Sequence, residues 1–211
     1  MKSPVPRTAA IHDLSGFGRA SLTVIIPILS TMGIQVCPLP TAVLSAHTGG
    51  FEDYRFLDLS AHMRSMIDHW RILELSFDEL YSGFLGSSEQ IEIVSELIDD
   101  FALTEQLVIV DPVMGDGGKP YGPIHSELID GMRRFVRKAK VITPNFTEAC
   151  FLLDREYLGQ IEPGEMKEWL ILLSEFGPSI VITTSVPVSR DGRTSAVIAY
   201  NREDGRFWKV I

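Results

Sequence analysis

The chain has 211 residues, 45% of them hydrophobic and 22% charged, which is enough for one α/β domain with a sizeable core and excludes the disordered and fibrous classes. Its 28 acidic residues against 19 Lys and Arg give a formal net charge of -9, which excludes a basic nucleic-acid-binding surface and requires a divalent cation beside any polyphosphate ligand. Two cysteines, Cys37 and Cys150, exclude a disulfide framework, and the longest apolar run, residues 22–32, is broken by Pro27 and Ser30 and too short to span a bilayer.

The N-terminus carries no long apolar h-region, so a cytoplasmic protein without a membrane partner is expected. Short β-branched runs alternate with longer amphipathic ones, the pattern of a mostly parallel sheet covered by helices. The pattern predicts strands at Ala9–His12, Gln35–Pro38, Ala42–Leu44, Glu79–Ser82, Leu107–Val110, Val141–Ile142 and Ile180–Thr183. Helices are predicted at about 20–32, 57–72, 88–101, 124–138, 146–153 and 164–176. Two further strand-like runs, Ser195–Tyr200 and Arg206–Ile211, flank Asn201-Arg202-Glu203-Asp204-Gly205, a plausible hairpin turn. A single domain over 1–211 is expected, with the chain ending inside a strand.

Six strand ends carry polar or glycine-rich edges, and ligands of α/β sheets bind outside the carboxyl ends of strands. The first is His12-Asp13-Leu14-Ser15-Gly16-Phe17-Gly18-Arg19-Ala20. Its glycines let backbone approach a ligand, although Asp13 and Ser15 also suit local capping of a tight turn. Ser45-Ala46-His47-Thr48-Gly49-Gly50 offers hydroxyls and an imidazole to a small polar ligand, or is a solvated loop. Tyr81-Ser82-Gly83-Phe84-Leu85-Gly86-Ser87 places an aromatic ring beside glycines, suited to stacking or to the core.

The fourth end, Val110-Asp111-Pro112-Val113-Met114-Gly115, terminates an apolar strand in a carboxylate able to hold Mg²⁺ or its water, with an N-cap as the plainer alternative. In Thr143-Pro144-Asn145-Phe146-Thr147-Glu148, residues Asn145 and Glu148 share one face at a helix start and also fit a capping box. Val181-Ile182-Thr183-Thr184-Ser185 runs an apolar strand into hydroxyls that suit a phosphate or a base. Six such edges in sequence favour a joint ligand-binding role.

The segments SGFGRASL, LSAHTGGF, YSGFLGS, VDPVMGD and ITPNFTEA, in this order from residue 9 onward, resemble the pyridoxal, pyridoxine and pyridoxamine kinases of the ribokinase superfamily. DPVMG followed by TPNxxE is shared with the hydroxymethylpyrimidine phosphate kinases, whose first loop is usually of the GSDSGGGAG type; HDLSGFGRA, HTGG and SGFLGS are closer to the vitamin B6 enzymes. The resemblance implies a three-layer α/β/α sandwich. It also implies transfer of the ATP γ-phosphoryl group to the 5′-hydroxymethyl group of a B6 vitamer, with Mg²⁺, often a monovalent cation such as K⁺, and commonly a homodimer. By the same resemblance Asp13, His47, Thr48 and Phe84 fall at substrate-binding positions, Asp13 replacing a usual serine and Phe84 a usual tyrosine. Asp111, Thr143, Glu148 and Thr184 match ATP-binding positions, and Asp111, Asn145 and Glu148 match the residues that organise the metal.

One departure matters. The family's GTGD-type segment, with its anion hole and catalytic aspartate, does not occur in this sequence, and Asp116-Gly117-Gly118 and Asp191-Gly192-Arg193 have neither its order nor its context. No residue of the chain is assigned as catalytic base. Either the sequence is an incomplete copy of an ordinary kinase, which the ending inside a strand favours, or it is a short ligand-binding homologue without turnover.

Overall fold

The computed structural model describes residues 5–49, 51, 53–101, 106–188 and 194–211. Gly50 of the second strand end and the Asp191-Gly192-Arg193 turn lie outside the described residues. The chain forms two compact units, residues 1–108 and 109–211.

In the first unit the strands are β1 (Arg7–Ser15), β2 (Gln35–Leu44), β3 (Phe56–Asp58) and β4 (Glu79–Ser82), in the order β4-β1-β2-β3. β1 runs parallel to both β2 and β4, whereas the short edge strand β3 is antiparallel to β2. Helix α1 (Leu22–Thr31) packs on β1 and β2, α2 (Ser60–Ile72) packs on β2, and α3 (Ser88–Phe101) packs on α2. Both faces of β1 are buried from Thr8 to Asp13, which is why that run reads as continuously apolar in its middle.

The prediction of two strands at 35–38 and 42–44 is corrected: β2 is one strand that passes through Pro38 and Pro40. Proline has no N–H to donate to a ladder, so it is tolerated in a strand only where that side is unpaired. β3 pairs only with Ala42–Leu44, so the prolines lie where β2 has β1 alone as a partner, at Ala10↔Pro38 and His12↔Pro40.

The second unit contains β5 (Leu107–Val110, from Ile109), β8 (Val141–Ile142), β9 (Ile180–Pro187), β10 (Ser195–Asn201) and β11 (Arg206–Val210) in this spatial order. β5, β8 and β9 are parallel; β10 and β11 close the edge as an antiparallel hairpin whose last pair is Asn201↔Arg206, as the Asn-to-Gly turn predicts. A separate two-stranded ribbon, β6 (Gly115–Asp116) and β7 (Lys119–Pro120), follows β5 and is too short to be read from patterning. Helices α5 (Phe146–Leu153) and α6 (Pro163–Glu175) pack on β9, and α4 (Ser126–Phe135) packs on α5. Both units thus have the expected α/β construction with parallel inner strands. Among the described residues no helix is long and apolar enough to cross a membrane.

Two side chains explain two glycines of the first unit. His12 is 3% exposed, and its ring occupies the space beside Gly83, where an added Cβ would fall 2.1 Å from Nδ1. The ring also stands edge-on to Tyr81, at 4.6 Å between centroids. Burial pushes the imidazole pKa down to about 3, partly opposed by a hydrogen bond with the Tyr81 backbone, so the ring is neutral at ordinary pH. At Gly18, φ is +90° and an added Cβ would lie 2.0 Å from Cδ2 of His47.

Because His12 is enclosed, Gly83→Ala is expected to destabilise the protein by about 1–3 kcal/mol through overpacking. In a double-mutant cycle with His12→Ala, read from urea midpoints, the Gly83→Ala loss should shrink. Strict additivity of the two changes would show that the ring does not oppose the Cβ.

Candidate nucleotide and metal site

In the second unit a cavity of about 280 Å³ is lined by Asp111, Val113, Tyr121, Thr143, Asn145, Glu148 and Thr184. All five residues expected on the nucleotide and metal side therefore meet in one place. Two local rules bring them there. Asp111 follows β5 directly, so the strand delivers its carboxylate at the carboxyl end; Thr143 and Asn145 follow β8, and the Thr143 amide donates to Val110 O at 3.1 Å. Thr184 on β9 is set level with Asn145 by an isolated bridge and donates its amide to Pro144 O at 3.0 Å.

The capping box expected as an alternative is present. The Glu148 amide donates to Asn145 Oδ1 at 2.9 Å, and the Asn145 amide donates to Glu148 Oε2 at 2.7 Å. Glu148 Oε1 also accepts from the Met114 amide at 3.0 Å, and Asn145 Nδ2 donates to Gly115 O at 2.8 Å. The box therefore ties the start of α5 to the loop after β5. Glu148 is only 3% exposed.

Electrostatics set this pair apart from an ordinary cap. Burial, and then the charge of Asp111, raise the Glu148 pKa despite the opposing amide hydrogen bonds. Burial likewise raises Asp111, against a hydrogen bond from Thr143. Tyr121 is raised as well, by burial and by Asp116, Glu148 and Asp111. Two acids thus share a pocket where the charge on Asp111 opposes ionisation of Glu148, so that both are charged together readily only beside a cation. No group of three or more His, Cys, Asp or Glu able to hold a metal occurs among the described residues. Two carboxylates with Asn and Thr oxygens fit Mg²⁺, which keeps several waters and takes its remaining ligands from phosphates. Val113 and Tyr121 were not singled out in the sequence; Tyr121 is brought in by the ribbon after Met114, through its amide donating to Met114 O at 2.9 Å.

A larger cavity, about 510 Å³, is lined by Met166, Lys167, Val186, Phe207 and Trp208 among others. It contains Glu162 as its one acid, so volume alone is a poor guide to the chemistry here.

The four residues expected on the substrate side all lie in the first unit, and they behave differently. Asp13 is 5% exposed with both oxygens engaged: Ser15 Oγ donates to Oδ2 at 2.9 Å, and Ser21 Oγ donates to Oδ1. It holds the turn between β1 and α1, so contact with a ligand would require a serine to give way. Phe84 is 4% exposed and stands edge-on to Phe56 at 6.4 Å, a core position of the kind already allowed for it. His47 and Thr48 are half-buried. The Gly49 amide donates to His47 Nδ1 at 3.2 Å, and the His47 ring meets Phe51 edge-on at 4.9 Å.

Residues 26–209 match the family model described as phosphomethylpyrimidine kinase. The chain belongs to that family. It is 52% identical to a Bacteroides thetaiotaomicron protein described as a phosphomethylpyrimidine kinase and crystallised with pyridoxal, superposing with a TM-score of 0.94 over 98% of this chain and 72% of the other. It is 30% identical to pyridoxal kinase of Arabidopsis thaliana over 76% of this chain and 52% of that protein. It is 28% identical to the thiamine biosynthetic bifunctional enzyme TH1 of the same plant, over 86% of this chain and 33% of that protein. The chain thus spans about half or less of the length of these two curated relatives.

The raised Glu148 pKa has a sign that can be tested. The folded state keeps the Glu148 proton above the ordinary 4.5, up to about 8, so stability is greatest below that window and falls as pH rises through it. With EDTA present, the thermal midpoint should decline across this range; Glu148→Gln should flatten the decline, and Mg²⁺ should do so in the unaltered protein. An equal slope in protein and variant would remove Glu148 as its source.

Proposed function

We propose that the whole protein transfers the γ-phosphoryl group of ATP to the 5′-hydroxymethyl group of a vitamin B6 vitamer. The observation that carries the phosphoryl-transfer reading is the cavity in which Asp111 and Glu148 are buried together beside Thr143, Asn145 and Thr184. Such transfer depends mainly on alignment and charge neutralisation. Bound Mg²⁺ would neutralise phosphate charge at this pair. Asp111 and Asn145 would face it or its waters; Glu148, fixed by three backbone amides, would orient those waters and add charge. The Thr184 hydroxyl would donate to a phosphate oxygen, while the Thr143 hydroxyl, which donates to Asp111, would hold that carboxylate in place.

Likeness to the Bacteroides protein crystallised with pyridoxal supports a B6 vitamer as acceptor. Likeness to the TH1 enzyme and the description of the family model support the alternative, a hydroxymethylpyrimidine or its phosphate. Family resemblance further supports K⁺ as a companion cation and a homodimer.

The complete gene product is expected to turn over at least one of pyridoxal, pyridoxamine and pyridoxine in a coupled assay with MgATP. Turnover of hydroxymethylpyrimidine alone would sink the vitamer reading. The 211-residue chain, in which no base is assigned, should run at least about a hundredfold slower than a family member that carries the GTGD aspartate, since a positioned base contributes about 10²–10⁴. Equal rates would mean that a base within these residues has been overlooked.

A further inference from the structure

Helix α1 is built unlike the other two helices of the first unit. α2 and α3 each bury one face and show solvent a charged one, on which Arg64 pairs with Glu96 and Arg71 with Asp68 and Asp100. α1 reads Leu-Thr-Val-Ile-Ile-Pro-Ile-Leu-Ser-Thr, with no charged residue, and of its apolar side chains only Leu22 is buried. A helix that is apolar all round belongs inside a structure. α1 packs on β1 and β2, yet helical spacing gives it two apolar stripes, Leu22, Ile26 and Leu29 on one and Val24, Ile28 and the C-cap residue Met32 on the other. On the second stripe Ile28 is 53% and Met32 68% exposed. The absence of charge extends past the helix: residues 20–51 contain no Asp, Glu, Lys or Arg, although 22% of the chain is charged.

A second observation lies in the sheet. Leu14, Val43 and Leu57 form one cross-strand row over β1, β2 and β3, and each is more than a third exposed. The row points away from α2 and α3. Asp58, the neighbour of Leu57, faces those helices, accepting from the Ser60 amide of α2 and from Gln90 Nε2 of α3, and adjacent strand residues alternate between faces. Right-handed crossovers put α1 on the same outer face as the row, because β1 to β2 and β2 to β4 step across the sheet in opposite directions.

We propose that this outer face, centred on Val24, Ile28 and Met32, is the surface on which a second copy of the chain docks. Charge selects the occupant. At a net charge of -9 two copies repel, and their contact is least opposed where neither carries a charge. A two-fold interface sets a patch against its own copy, so the patch must complement itself, and an uncharged apolar one does. A membrane surface does not fit: an interfacial helix carries Lys and Arg on its polar flank, where α1 has Thr23, Ser30 and Thr31. This interface is independent of the phosphoryl-transfer reading and gives the homodimer supported there a location.

The test is sedimentation velocity of the complete gene product and of its Ile28→Glu, Met32→Glu and Ile72→Glu variants over micromolar concentrations. Ile72, exposed on α2, controls for added charge alone. The unaltered protein and Ile72→Glu should sediment as dimers. Glu at position 28 or 32 brings two like charges into the contact and should raise the dimer dissociation constant at least about a hundredfold. Thermal midpoints check folding; should Ile28→Glu lose stability, Met32→Glu at its more exposed position decides. A monomeric unaltered protein would overturn the proposal, whether a later segment of the chain, a different protein or only solvent covers the face. A dimer that survives both substitutions, or that Ile72→Glu weakens equally, would overturn it as well. No substrate or turnover enters the measurement, so its outcome is separable from that of the activity assays.

Discussion

The second unit depends on two acids that cannot both be comfortably charged. Asp111 and Glu148 are delivered to one cavity by the ends of β5 and β8, and burial raises both, with the charge of Asp111 adding to the effect at Glu148. Nothing in folding alone requires this pairing. Asn145 could cap α5 with a neutral Gln at the third helical position, because a capping box needs only an acceptor there. A carboxylate held at this depth beside another carboxylate makes sense when a cation and phosphates complete the charge balance.

Structural and chemical readings of Glu148 are therefore not rivals. The hydrogen bond from Asn145 that makes it a cap, and the one from Met114, together lock its carboxylate with respect to the loop after β5. Rigid support of this kind is what a phosphoryl-transfer site requires, since a small misplacement of aligned groups costs rate steeply. In the first unit the same logic runs through glycines. Gly18 and Gly83 are small because imidazoles occupy their space, so the two histidines are positioned by backbone rather than by side-chain partners alone.

Much of this was legible in the residues. β-branched runs located the inner strands, and the resemblance of the DPVMG and TPNxxE segments to the vitamin B6 kinases joined Asp111, Asn145 and Glu148 as one site. Other features were hidden for physical reasons. β2 was split because prolines argue against a strand unless one edge is open, and β3, with Phe56, Leu57 and Asp58 all exposed, has no alternation to read. Asp13 looked available because nothing in the spacing shows that Ser21, eight residues on, would reach it. Phe17 and Phe51 meet across 34 positions of sequence, and Tyr121 reaches the acid pair through a two-residue ribbon; neither approach has a local signature.

The central claim is that Asp111 and Glu148 form a cation site whose protons are held by burial and mutual repulsion. Titration of Mg²⁺ into the metal-free protein at pH 7, in two buffers of different ionisation enthalpy, tests it directly. Saturable binding with net proton release is the predicted result, because a cation at the pair favours its ionised form. Saturable binding without proton release, or no binding at all, would contradict it.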